Sequence, residues 1–81
     1  MKKGFYLSLV IPEGVTAIGA RAFAYSGLKS LDVKPSTPPA AGERLFEGLS
    51  AVSIYVPASS VGAYKGASGW SSYSSWIQAK P

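Results

Sequence analysis

A hydrophobic pattern recurs three times along the 81-residue chain, at a nearly constant spacing. In each copy, large apolar residues occupy the first, fourth and sixth positions, and the two intervals between corresponding positions are almost equal. The copies are Tyr6-x-x-Leu9-x-Ile11, Leu28-x-x-Leu31-x-Val33 and Leu49-x-x-Val52-x-Ile54. The period, about 22 residues, is typical of a solenoid coil, which combines one strand with one short return segment.

One such coil exposes an apolar row and cannot fold alone, whereas stacked coils bury their rows against one another. The pattern therefore predicts a single α/β solenoid domain over residues 1–81, with about three right-handed coils and a parallel three-stranded sheet. The coils are expected at residues 5–27, 28–48 and 49–57, with short helical or irregular return segments. Phe23 and Phe46 are expected to stack as a second internal row.

Local signals divide the chain further. Residues 5–11, 29–33 and 51–56 are predicted strands, and residues 20–25 a single helical turn. Three prolines within residues 34–42 predict an irregular surface segment, because proline lacks the amide donor that a sheet ladder requires. Residues 58–81 are predicted to form a helical cap of two short helices, the second over residues 70–77, followed by a tail over residues 78–81.

Composition excludes several classes of function. The chain has no cysteine and no histidine, so it can form no disulfide, thiolate nucleophile or ordinary zinc site. Its net charge of +4 comes from scattered lysines and arginines, whereas a nucleic-acid surface concentrates its cations. We therefore expect no nucleic-acid partner.

The N-terminal segment has two interpretations. Lys2-Lys3 followed by an apolar run up to Ile11 is similar to the start of a secretion signal. However, the run stops at Pro12, and its residues fit the repeat pattern, so a strand is the favoured interpretation. The sequence contains no apolar run near the ~20 residues of a membrane span.

Little in the sequence favours catalysis. Glu43 and Glu47 are four residues apart and would share one face of a helical turn, but with Arg44 nearby they are interpreted as a solvated surface. Serine is abundant, yet there is no histidine to act as its base. No enzymatic activity and no cofactor are expected.

The candidate binding groups are aromatic residues, chiefly in the C-terminal segment, which carries Tyr64, Trp70, Tyr73 and Trp76. Most of that group is expected to be core, but tyrosine and tryptophan also dominate interaction hot spots. Trp76 is predicted to be the most exposed, because it lies off the helical face shared by Tyr73 and Ile77. The candidate contact residues are Tyr55, Trp76 and Tyr25.

Two motifs resemble a known family. The string Leu9-Val10-Ile11-Pro12-Glu13-Gly14-Val15-Thr16-x-Ile18-Gly19-x-x-Ala22-Phe23 is similar to the signature coil of BspA-type leucine-rich repeats. The string Ile54-Tyr55-Val56-Pro57-Ala58-Ser59-Ser60-Val61-x-x-Tyr64-Lys65, with Gly69-Trp70 after it, resembles the C-terminal end of many such proteins. The middle coil departs from the pattern, since its proline-rich segment replaces the Ile-Pro and Ile-Gly elements.

The resemblance implies a short leucine-rich-repeat module of a secreted or cell-surface bacterial protein. It implies an adhesin-like, non-catalytic role, with a host matrix protein or a bacterial surface protein as partner. A carbohydrate-binding module that uses exposed aromatics of the C-terminal cap, chiefly Trp76 together with Tyr55, is the alternative. Because nothing is predicted to cover the first strand, we also expect a homo-oligomer through its open edge, or further coils upstream.

Overall fold

The computed structural model describes residues 7–80 as an α/β fold built on a four-stranded parallel sheet. The strands of this sheet lie in the order β1 (Leu7–Ile11), β3 (Leu28–Val33), β5 (Ser53–Val56) and β6 (Ile77–Ala79). A second, two-stranded parallel sheet pairs β2 (Ala17–Ile18) with β4 (Ala40–Ala41). Residues 5 and 6 of the predicted first strand lie outside the described residues.

In the part of the chain that the structure describes, helical structure is found between residues 58 and 76. A 3-10 helix (Ala58–Ser60) leads into α1 (Val61–Gly66), and a second 3-10 helix (Ser71–Trp76) follows. The second helix has a kink at Tyr73, where φ is −114° and ψ is 23°. The helix predicted over residues 70–77 is thus a shorter, kinked 3-10 helix that ends where β6 begins.

The fourth strand corrects the sequence prediction. Ile77 was assigned to a helix and residues 78–81 to a tail, but Ile77–Ala79 pairs in parallel with β5. The amide of Lys80 continues this ladder by donating to the Val56 carbonyl at 3.0 Å. Three residues are too few to show a strand period. The strand forms because the unpaired edge of β5 offers backbone partners that a tail would otherwise find only in water.

The register of the sheet also differs from the predicted columns. Leu9 pairs with Leu31, as expected, but Leu31 pairs with Ile54 and not with Val52. Ile54 in turn pairs with Ile77, so the sequence spacing between paired positions is slightly longer in β5 and β6 than the repeat pattern indicated. A displacement of two residues keeps the same side chains on the same face of a strand, so the hydrophobic pattern cannot distinguish the two registers. Val52 is still buried, just before β5 begins.

The return segments are turns and not helices. Residues 20–25 follow β2 and residues 43–48 follow β4, and Arg21 and Arg44 occupy equivalent positions in them, both with a positive φ of 57° and 55°. Amides of the first turn donate to carbonyls of the second, which holds the two turns against each other. These bonds run from Arg21 to Glu43 at 2.9 Å, from Phe23 to Leu45 at 3.0 Å and from Tyr25 to Glu47 at 2.8 Å.

The predicted aromatic row is confirmed. The rings of Phe23 and Phe46 are stacked, with centroids 5.6 Å apart and planes inclined by 12°. Tyr73 packs edge-on against Phe46 at 4.8 Å, so the row continues into the cap. Fully buried aliphatic side chains of the sheet face this row, including Leu31, Val33, Ile54 and Val56 at 0% exposure.

The proline-rich segment has a structural role that the sequence did not indicate. Its carbonyls accept hydrogen bonds from three side chains of the cap, and Pro35 and Pro39 are buried. The bonds are Tyr64 Oη to Pro35 O at 2.5 Å, Ser60 Oγ to Ser36 O at 2.7 Å and Trp70 Nε1 to Pro39 O at 2.9 Å. The segment therefore anchors the cap to the rest of the domain, since its carbonyls are free for side-chain donors.

The buried phenol of Tyr64 makes stability depend on alkaline pH. Burial raises the pKa of Tyr64 to about 12, against ~10 in an unfolded chain. Because the folded pKa is the higher one, this stabilisation is complete below about pH 10 and is lost as the pH rises through about 12. As the pH rises from about 10 to about 12, the free energy of unfolding, measured with urea, should fall in both proteins. We expect the fall to be larger in the wild type than in Tyr64→Phe, by on the order of 1–2 kcal/mol. Equal pH slopes for the two proteins would contradict this assignment.

Candidate functional site

The fold brings several candidate binding groups together on the outward face of the four-stranded sheet. Side chains alternate between the two faces of a strand, so the neighbours of the buried residues point away from the core. The sheet register places Val10, Asp32, Tyr55 and Gln78 side by side, one from each strand. We call these four residues the outward row. Ser8, Ser30 and Ser53 form a second row beside it.

The outward row differs sharply in exposure from the opposite face. Val10 is 55% exposed and Gln78 is also exposed, while Asp32 and Tyr55 are half-buried. Their inward neighbours Leu31 and Ile54 are at 0%. The row therefore presents an aliphatic, an acidic, an aromatic and an amide group on one accessible strip.

Two lysines neutralise the acidic group of the row. Lys80 Nζ lies 2.7 Å from Asp32 Oδ1, an ion-pair distance without hydrogen-bond alignment, and Lys34 Nζ lies 3.9 Å from Asp32 Oδ2. Asp32 belongs to β3 and Lys80 follows β6, so the first pair reaches across β5, the strand of Tyr55. All three side chains are 30–46% exposed, and exposed pairs of this kind contribute little to stability. Their main effect is to place charge beside the tyrosine.

Tyr55 is the predicted contact residue that lies on this face. It occupies the middle of the sheet, between Asp32 on one side and Gln78 on the other. The prediction that it points outward, between the buried Ile54 and Val56, agrees with its half-buried state.

Tyr25 lies elsewhere, on the turn that follows β2. It is 73% exposed, more than any other large apolar side chain for which exposure is described. Its φ is positive, at 56°, and its ring lies against Gly48 so closely that a β-carbon at Gly48 would overlap the ring. Gly48 also has a positive φ of 84°, a backbone conformation that favours glycine.

Trp76 is less exposed than the helical argument predicted. It is half-buried, with its ring 6.0 Å from that of Phe46 and 5.1 Å from that of Tyr73. A regular helix through Ile77 would turn Trp76 away from the face of Tyr73 and Ile77, whereas the segment is a kinked 3-10 helix followed by a strand. Trp76 thus extends the internal aromatic row, and its role as a contact residue stays a prediction.

The three predicted contact residues do not form one site. They lie on a strand, a turn and a 3-10 helix, and no aromatic contact within residues 7–80 joins any two of them. The sequence interpretation missed Asp32 and Lys80. Strand alternation around Leu31 could have indicated Asp32, but Lys80 could be found only by recognising β6.

Of the two carboxylates that could have indicated catalysis, Glu43 and Glu47, the second is engaged in ion pairs. Glu47 Oε1 accepts from Arg21 Nε at 2.8 Å, and Arg44 Nη1 lies 3.6 Å from Glu47 Oε2. The hydrogen bond and charge of Glu47 raise the pKa of Arg21 above its usual value. Glu47 and Arg44 thus belong to an ion-pair cluster with Arg21 at the surface, in agreement with the interpretation of these charges as a solvated surface.

A separate depression of about 350 Å³ lies beside the proline-rich segment. Glu13 and Lys34 carry its charges, and residues 35–39 form one wall. No group of three or more acidic, histidine or cysteine residues able to hold a metal ion occurs in the part of the chain described. Within residues 7–80, no helix has the length and apolar character needed to cross a bilayer.

Comparison with known proteins adds no assignment. Neither a scan against protein-family models nor a search of curated proteins found a match for this chain.

Proposed function

We propose that this chain is a non-catalytic protein-interaction module of the BspA-type leucine-rich-repeat class, with a solenoid fold. The motif resemblance supports this class. Further support comes from sheet strands that follow one another in chain order, all parallel, with nearly equal spacings between paired positions. Turn-to-turn hydrogen bonds between residues 20–25 and 43–48 repeat the same stacking on the return side. Each unit then contacts its sequence neighbours, as in a solenoid.

The proposed binding surface is the outward face of the sheet. The observation that carries this proposal is the outward row, where Tyr55 lies accessible between charged and amide groups. A tyrosine supplies a large, rigid contact area at low entropic cost, and polar neighbours on a rim supply orientation. The partner would be a protein at a cell surface or in an extracellular matrix, and the module would act outside the cell.

Binding to a panel of purified extracellular-matrix proteins tests this proposal. We expect Tyr55→Ala to weaken binding to a recognised protein by tenfold or more, the effect of a hot-spot residue. Surface plasmon resonance would measure the change, and thermal unfolding would verify that the variant is folded. The matched control is Tyr25→Ala, which removes a more exposed tyrosine away from the sheet. Failure to bind any panel member, or equal losses in both variants, would count against the proposal.

The alternative is a carbohydrate-binding module, and the exposure of Tyr25 favours it. An aromatic ring that is 73% exposed is a suitable platform for a sugar ring. A glycan array would test this directly, because binding lost in Tyr25→Ala and retained in Tyr55→Ala supports a sugar site on the turn. Trp76 fluorescence would report on binding near the aromatic row.

A further inference from the structure

Within residues 7–80, β1 has an edge that pairs with no other strand, and the polar groups on that edge can be identified. The amide of Lys34 donates to the Ile11 carbonyl at 2.9 Å, so the backbone of Ile11 faces β3. Successive residues of a strand direct their backbone groups to alternate sides, so Leu9 also faces β3 and Ser8 and Val10 face away. In the described residues, no strand pairs with that side of β1. Ser8 and Val10 thus present two N–H donors and two carbonyl acceptors.

Exposed apolar surface is concentrated in the same part of the molecule. Among the side chains described, the exposed large hydrophobic ones are Leu9 at 45%, Val10 at 55% and Tyr25 at 73%, all within the first coil. Leu9 points to the core face, yet it is exposed, while Leu31 and Ile54, which follow it across the sheet, are at 0%. Val15, Ile18 and Phe23 of the same coil are only partly buried.

The charge of this end is compatible with contact between two copies. The chain as a whole carries +4, but residues 7–27 contain one acidic and one basic side chain, Glu13 and Arg21, and sum to zero. Arg21 is already paired with Glu47. Residues 7–27 therefore add no like-charge repulsion of their own to a contact between two copies, and the net charge is carried by Lys2 and Lys3, which precede β1 in the sequence, and by residues 28–81.

We propose that the protein forms a two-fold symmetric dimer by antiparallel pairing of β1 with β1 of a second copy, with Leu9 on the symmetry axis. In this register Ser8 of one copy exchanges hydrogen bonds with Val10 of the partner subunit. Val10 of the first copy likewise exchanges hydrogen bonds with Ser8 of the partner subunit. All four free backbone groups of each copy are then satisfied. The two Leu9 side chains meet as a non-hydrogen-bonded pair, the closer of the two antiparallel spacings. A two-fold contact also closes on itself, whereas pairing β1 with the edge of β6 would leave an apolar end on every assembly.

Cysteine crosslinking tests the register, because the chain has no cysteine of its own. A non-hydrogen-bonded antiparallel pair has α-carbons about 4.5 Å apart, within the range of a disulfide. Leu9→Cys is expected to form a disulfide-linked dimer under mild oxidation. Ser8→Cys is the control, since the two copies of residue 8 would be more than ~8 Å apart and should not bridge. Bridging of Ser8→Cys as fast as Leu9→Cys would overturn the register.

Analytical ultracentrifugation of the full chain tests the dimer itself. Val10→Pro removes an N–H that faces the open edge and leaves the ladder to β3 intact, so the monomer should remain folded. We expect this change to weaken dimerisation at least tenfold, while Val10→Thr, which keeps the N–H, should not. A wild-type monomer at all concentrations up to about 1 mM, growth beyond a dimer, or a dimer unaffected by Val10→Pro would each overturn the proposal. None of these outcomes depends on the partner proposed for the outward face.

Discussion

Replacing Trp70 with alanine is expected to reduce the free energy of unfolding by about 4 kcal/mol. Trp70 is completely buried, packs edge-on against Tyr64 at 5.1 Å and donates to the Pro39 carbonyl at 2.9 Å. The alanine variant would lose the apolar contacts and leave a cavity, and it would also remove the donor from a buried carbonyl. A domain of this length has roughly 4–12 kcal/mol of stability in total, so a large unfolded population should be visible by circular dichroism.

Two companion variants separate the contributions of Trp70. Trp70→Phe retains most of the ring contacts but cannot donate to Pro39, and should cost about 1–2 kcal/mol. Trp76→Ala removes the other tryptophan, which is half-buried, and should cost about 2 kcal/mol. If Trp76→Ala proved more damaging than Trp70→Ala in urea unfolding, the cap would not be anchored to the proline-rich segment as described.

Phe46→Ala is expected to be similarly severe, again at about 4 kcal/mol. Phe46 is 1% exposed and lies at the centre of the aromatic row, in ring contact with Phe23, Tyr73 and Trp76. Its removal therefore breaks contacts both to the preceding coil and to the cap. Chemical unfolding monitored by tryptophan fluorescence would measure the loss.

Phe23→Ala provides the matched control. Phe23 occupies the equivalent position of the first repeat, but it is half-buried. Among the described residues, Phe46 is its single aromatic neighbour. Its replacement should cost about 1–2 kcal/mol. Equal losses for the two phenylalanines would mean that they do not differ in depth within the stack.

The elements that the sequence predicted well are those whose signal is local and periodic. The strands around Leu31 and Ile54 alternate apolar and polar residues, and both inward residues are fully buried. The two phenylalanines, at equivalent positions of successive coils, stack as expected. In these cases the same residues that create the pattern also make the contact.

The predictions that failed concern strand pairing and backbone conformation and not residue types. The register predicted for β5 was wrong by two residues. A shift of two residues keeps the same side chains facing the core, so the hydrophobic pattern is the same in both registers. β6 was missed because three residues carry no recognisable period, and its formation depends on an edge supplied by β5. The turn over residues 20–25 was expected to be helical, but it contains Arg21 and Tyr25 with positive φ.

The candidate site was predicted one residue at a time. Tyr55 was assigned correctly to the outward side of its strand, since alternation alone determines the side. Its neighbours Asp32 and Gln78, which lie on the strands to either side, depend on the register. Lys80 joins them only through the missed strand and its ion pair with Asp32.

Amphipathic periodicity and turn residues were sufficient to establish that this chain makes short parallel strands with one apolar face and a second row of phenylalanines. These signals involve residues close together in the sequence, so they can be recognised without knowing which other parts of the chain lie nearby in space. The pairing of β6, the docking of Tyr64 and Trp70 onto proline carbonyls, and the composition of the outward row depend on groups that are far apart in the chain. Those contacts arise because buried donors, acceptors and strand edges must find partners in the folded chain, and which partners are near is a property of the whole fold.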